Sequence, residues 1–156
     1  MAGRRRGEIK QGTAFSSAEA EAFLNLQRTA DALARGLAEA LKPAGLSGPQ
    51  YNILRILRGA GPAGCACREL GERMVTRDPD ITRLLDRLEA RGLVARERGR
   101  EDRRVVKTRV TERGLRILKD LDAPIMALHS RLLGHLGERR LRALIDLLQA
   151  AREKAS

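Results

Sequence analysis

The chain has 156 residues, which sets an expectation of one domain, large enough to fold around a core without metal or disulfide staples. Hydrophobic residues make up 42% and charged residues 33%, the balance of a soluble, helix-rich protein, and no apolar run approaches the 18 residues that would cross a membrane. Lys+Arg is 31 against Asp+Glu 20, a net charge of +11, which points to a polyanionic partner and says nothing about fold; 26 of those cations are Arg, a bias that genome composition can also produce.

In chain order, residues 1–14 read as a flexible basic tail. Arg4, Arg5, Arg6 and Lys10 have no apolar stretch behind them, so no secretory signal is expected. Ser16 with Glu19 three residues on reads as a capping box that opens a helix. Phe23, Leu26, Ala30, Leu33, Leu37 and Leu41 then recur at spacings of three and four, one long amphipathic helix that Pro43 and Gly45 stop. Ser47 starts a second helix, with Pro49 in its first turn and Gln50 closing a capping box. Tyr51, Leu54 and Leu57 form its buried stripe.

The stretch Gly59-Ala60-Gly61-Pro62-Ala63-Gly64 matches GxGxxG. A dinucleotide fingerprint needs a strand before it and a helix start after it; here a helix precedes it, so a plain loop is expected. A short helix follows from about Cys67 to Met74. After the turn Val75-Thr76-Arg77, Asp78 reads as an N-cap with Pro79 at the first helical position. The fourth helix then extends to Arg91, about 21 Å at 1.5 Å per residue. Its buried face is Ile81, Leu84, Leu85 and Leu88, and Gly92 ends it.

Leu93–Arg98 and Val105–Val110 are short β-prone runs around the polar turn Gly99-Arg100-Glu101-Asp102-Arg103-Arg104, a hairpin. Thr111 caps another long helix with Leu115, Leu118, Ile125, Leu128 and Leu132 as its stripe and a kink expected at Pro124. Gly134 and Gly137 break the chain before a last helix bearing Leu141, Leu144, Ile145 and Leu148.

The expected fold is therefore mainly α with a small β-hairpin wing: a helix-turn-helix followed by a basic hairpin, the winged-helix order. Such a helix fits the major groove with its N-terminal residues at base edges, and an Arg-tipped hairpin suits a narrow minor groove. Residues 65–110 hold 13 Lys+Arg against 9 Asp+Glu. Thr76, Arg77, Thr82, Arg83 and Arg87 are the candidates for groove or phosphate contact, and Asp80 and Asp86 are expected to orient these arginines. Arg98, Arg100 and Arg103 are the wing candidates.

Catalysis finds no support, since no Ser/His/Asp or Cys/His set and no paired carboxylates mark a cleft. Two Cys and two His do not build a closed zinc site, so no metal and no cofactor are expected. One Tyr, two Phe and no Trp make aromatic base-stacking platforms a poor prospect. Cys65 and Cys67 leave two readings open. With Cys67 at a helix N-cap, its thiol pKa would fall and favour redox sensing or a soft metal such as Cu(I); otherwise the pair are small residues of a strand and a cap. A reducing, cytoplasmic setting is the default.

Three strings resemble the MarR family of winged-helix transcription regulators. Leu46-Ser47-Gly48-Pro49-Gln50-Tyr51-Asn52-Ile53-Leu54 is similar to the entry of that family's second helix. Ile81 to Val94 resembles its recognition helix and first wing strand. Glu101-Asp102-Arg103-Arg104 followed by Val110-Thr111-Glu112-Arg113-Gly114 resembles its wing signature. The resemblance runs over about residues 16–154. It implies an intertwined homodimer with helical dimerisation regions at 15–46 and 111–156 around a DNA-binding lobe at 47–110. It further implies a repressor on a pseudo-palindromic double-stranded operator, released by a small-molecule inducer. By that resemblance Asp102 holds Arg104 in an ion pair that shapes the wing, and the inducer pocket falls around Phe23, Leu26, Tyr51, Leu54 and Leu115, which are equally ordinary core positions. The family's peroxide sensors carry a cysteine near the start of the first helix, and this chain has none there. A winged-helix module for protein or RNA contact, or an architectural DNA binder, is the alternative.

Overall fold

The computed structural model describes residues 15–77 and 80–155. The basic tail and the expected cap Asp78-Pro79 lie outside the described residues.

Among the described residues, six α-helices and three short strands follow in chain order: α1 (Ala18–Leu41), α2 (Gly48–Ala60), β1 (Cys65–Ala66), α3 (Cys67–Arg73), α4 (Ile81–Ala90), β2 (Val94–Arg98), β3 (Val106–Val110), α5 (Glu112–Leu133) and α6 (Glu138–Ala155). Contacts divide the chain into two units, Met1–Arg35 and Gly36–Ser156. In the first, the described structure is mainly the start of α1. Its cap is one residue later than the capping-box spacing suggests: Ser17 Oγ accepts from the Ala20 N–H at 3.2 Å. Glu19 has its carboxyl held below the ordinary range by a backbone hydrogen bond at the helix start and, secondarily, by Ser17.

The second unit holds the core. Leu41, Ile53, Leu54, Leu57, Leu70, Leu88, Leu93 and Leu118 are fully buried, so α1, α2, α3, α4 and α5 each contribute to one apolar interior. Burial of this kind contributes on the order of 2 kcal/mol per side chain. The α2 entry is as read: Ser47 Oγ accepts from Gln50 N, and Gln50 Oε1 accepts from Ser47 N, at 3.2 and 3.0 Å. Pro49 sits in that first turn, where no intrahelical donor is lost.

The sheet is antiparallel with order β1-β3-β2. Its third strand, β1, bears out the strand reading of Cys65: Cys65 pairs with Thr108 and Ala66 with Lys107. The hairpin pairs Val94 with Val110 and Arg98 with Val106. Between α4 and β2 the chain reverses at Gly92, whose φ of 68° is a left-handed conformation that other L-residues enter only at a cost. At the other end of the hairpin, Thr111 Oγ1 accepts from Gly114 N at 3.1 Å, capping α5, which runs unbroken through Pro124.

The fourth helix is shorter than expected. It begins at Ile81 with Asp80 as its N-cap, and the Asp80 side chain makes no capping hydrogen bond. Its ten residues span about 15 Å. No described helix is long and apolar enough to cross a membrane.

Candidate nucleic-acid interface

The inward face of α4 is fixed by Leu85 and Leu88, which are buried, with Ile81 and Leu84 half-buried beside them. This pins the rotation of the helix about its axis. Thr82, Arg83, Asp86 and Arg87 are consequently exposed. Thr76 and Arg77 are exposed in the turn before it, and that turn is anchored to α2 by a hydrogen bond from Val75 N to Asn52 Oδ1 at 2.8 Å. All five helix-side candidates are thus on the surface of the helix-turn-helix.

Their charges are not equivalent. Arg83 Nε lies 3.3 Å from Asp80 Oδ2, the orienting contact expected for that acid. Arg87 forms no ion pair among the described residues. Asp86 does not orient either of these arginines: its carboxylate accepts from Arg96 of β2, which also takes Glu89. Sequence reasoning passed over Arg96, because the partners lie seven and ten residues away and meet only once β2 folds back over α4.

The wing tip is closed by backbone bonds: Gly99 N to Val105 O at 2.8 Å and Val105 N to Asp102 O at 3.1 Å. Asp102 Oδ1 accepts from the backbone N–H of Arg104 at 2.9 Å, the short-range turn that Asp forms readily with the residue two positions on. The expected ion pair with the Arg104 guanidinium is not present among the described residues. Asp102 shapes the turn all the same, and Arg104 is left exposed with Arg98, Arg100 and Arg103. Arg98 and Arg100 also border a half-open cleft of about 620 Å³ between the wing and the Pro62–Gly64 turn. Further along the hairpin, Arg109 is paired with Glu97.

The remaining candidates separate. Cys65 is fully buried, and burial, aided by Glu69, pushes its thiol up to about 11, opposite to what a thiolate sensor needs. Cys67 is exposed, but it is the first residue of α3; the N-cap is Ala66. No cluster of three or more metal-ligating side chains occurs among the described residues. Of the pocket candidates, Tyr51 and Leu54 are core residues, whereas Phe23, Leu26 and Leu115 are 63%, 44% and 40% exposed.

A family model described as MarR family matches residues 44–105, the stretch from the turn after α1 to the wing tip. A MarR transcription factor of known structure from Planctomyces limnophilus is 44% identical, with a TM-score of 0.67 over 88% of this chain and 99% of that one. A mutant MarR from E. coli, solved in complex with operator DNA, is 26% identical, with a TM-score of 0.77 over 87% of this chain and 99% of its own. Among curated proteins, the HTH-type transcriptional repressor MdtR of Bacillus subtilis (strain 168) is 29% identical over 82% of this chain and 77% of its length.

Proposed function

The chain belongs to the MarR family of transcription regulators, and from that premise we propose that it is a homodimeric repressor that holds a pseudo-palindromic operator through α4 and the wing and leaves it on binding a small molecule. One observation carries the DNA contact: α4 turns its apolar face into the core and leaves Thr82, Arg83 and Arg87 outward, beside a wing tip whose Arg98, Arg100, Arg103 and Arg104 are all exposed. Arg is suited to both tasks, with bidentate contact to guanine in the major groove and insertion where the minor groove narrows.

Dimerisation through residues 15–46 and 111–156 is supported by apolar side chains that the single chain leaves uncovered. No residue of α6 is buried, and Ile145, Leu147, Leu115 and Met126 are exposed. Water-exposed apolar surface on this scale is normally covered by a partner, and a two-fold partner would present a second winged helix to a second half-site. Repression follows the function of the curated relative. Release by a small molecule and a cytoplasmic location follow the family reading.

Affinity measured on two duplexes at matched salt tests the proposal. A duplex recovered by selection should bind at least about 10³-fold tighter than random sequence, and the bound species should contain two chains. Equal affinity for both duplexes would make the protein an architectural binder and overturn the regulator reading.

A further inference from the structure

The exposed face of α4 carries a conflict: Asp86 and Glu89, one turn apart, put two carboxylates on the helix that is to lie against phosphates. Both are accessible, with side chains 54% and 44% exposed. The structure resolves the conflict from outside the helix. Arg96 stands in the middle of β2, opposite the buried Thr108 of β3. The alternation of the strand aims Arg96 toward α4, while its neighbour Glu97 pairs with Arg109 instead. Its Nη2 donates to Asp86 Oδ1 at 2.5 Å, and its Nε donates to Glu89 Oε2. One guanidinium thus engages two carboxylates through different N–H groups, which its rigid fork permits and a Lys ammonium does less well. Arg96 is itself only 28% exposed, so it is placed to serve the helix rather than a ligand.

We propose that Arg96 is a positioning residue for DNA binding, masking Asp86 and Glu89 so that neither carboxylate offsets the charge that Arg83 and Arg87 bring to the duplex. This rests on the DNA-binding reading above. Because phosphate repulsion does not depend on sequence, the effect is expected on any duplex.

The test is fluorescence anisotropy with a fluorescein-labelled 30-bp duplex of random sequence, and with a duplex recovered by selection, at low salt. Arg96→Met is expected to weaken both by about tenfold. Adding Asp86→Asn and Glu89→Gln to that variant is expected to restore random-duplex affinity to within about threefold. A purely structural role would leave the triple variant as weak as Arg96→Met, and that result overturns the proposal, as does wild-type affinity in Arg96→Met. Should Arg96→Met not fold, Asp86→Asn with Glu89→Gln in the presence of Arg96 decides: binding of the random duplex at least as tight as wild type supports masking, and weaker binding overturns it. Wild-type protein that binds neither duplex would remove the DNA-binding reading itself and the proposal with it.

Discussion

The carbonyl oxygen of Leu93 faces Gly114 so closely that a β-carbon on Gly114 would clash with it. The same carbonyl accepts from Thr111 N at 3.0 Å, and Thr111 Oγ1 donates to Gly92 O at 2.7 Å. The first turn of α5 is therefore seated on the junction between α4 and β2, the base of the wing. In most helices Gly→Ala stabilises, by up to about 1 kcal/mol. Here the sign should reverse. Gly114→Ala is expected to cost about 2 kcal/mol through the clash, lowering Tm by roughly 4–8 °C. Calorimetry on the variant checks it; an unchanged or raised Tm would mean that the junction yields freely.

Asp102 holds the wing tip through the Arg104 backbone. Asp102→Ala removes the acceptor and leaves the tip less ordered, with the loss of a single solvent-exposed hydrogen bond, about 1 kcal/mol. DNA affinity should fall severalfold while the size of the assembly in solution stays the same. Asp102→Asn, which keeps an acceptor oxygen, should bind close to wild type. A drop in assembly size on Asp102→Ala would contradict the assignment to the wing.

Arg87 and Arg83 differ in what they must give up to reach DNA. Arg83 is already beside Asp80, and Arg87 forms no ion pair among the described residues. Arg87→Ala is therefore expected to weaken duplex binding more than Arg83→Ala. A lost bidentate base contact costs about 1–3 kcal/mol and relaxes preference at one operator position, whereas a lost phosphate contact lowers the salt slope by about one unit. Titrations at several salt concentrations separate the two. Equal, unchanged affinity in both variants would place the contact surface elsewhere.

The thiols should react very differently. Cys67 is exposed and Cys65 is buried, with its thiol pushed up to about 11. At pH 8 a disulfide reagent should titrate one thiol quickly in the native protein and the second only on unfolding. A folded-state pKa raised above the ordinary thiol value of about 9 also means that the folded form binds the extra proton. Stability should then decline as pH rises from about 9 to about 11, most of the change falling between those values. Cys65→Ala should flatten that decline; a decline of the same size in the variant would place its source in other groups.

Sequence legibility followed the range of the interaction. The capping box of Ser47 and Gln50 is spelled within four residues, and the reversal at Gly92 within one, so both were readable. Strand β1 is two residues long, too short to show any alternation, and it exists because β3 offers Thr108 and Lys107 as partners. The start of α4 was misplaced because Asp78-Pro79 is the stronger local signature, although Asp80 is the residue that precedes the helix. On the interface, exposure of Thr82, Arg83 and Arg87 followed from the apolar period on the opposite face. The partner of Asp86 did not, because Arg96 reaches it only through the fold of β2 over α4, a relation that no spacing within the helix encodes. Asp102 was read for the right turn and the wrong atom, since a carboxylate two residues before an Arg suits its backbone N–H as well as its guanidinium.

The claim that α4 and the wing grasp a duplex twice per assembly is tested most directly by selecting bound sequences from random duplex DNA with the purified protein. The account predicts enrichment of an inverted repeat whose half-sites are centred about 34 Å, roughly one helical turn, apart. Recovery of no shared sequence, or of one unrepeated half-site, would contradict it.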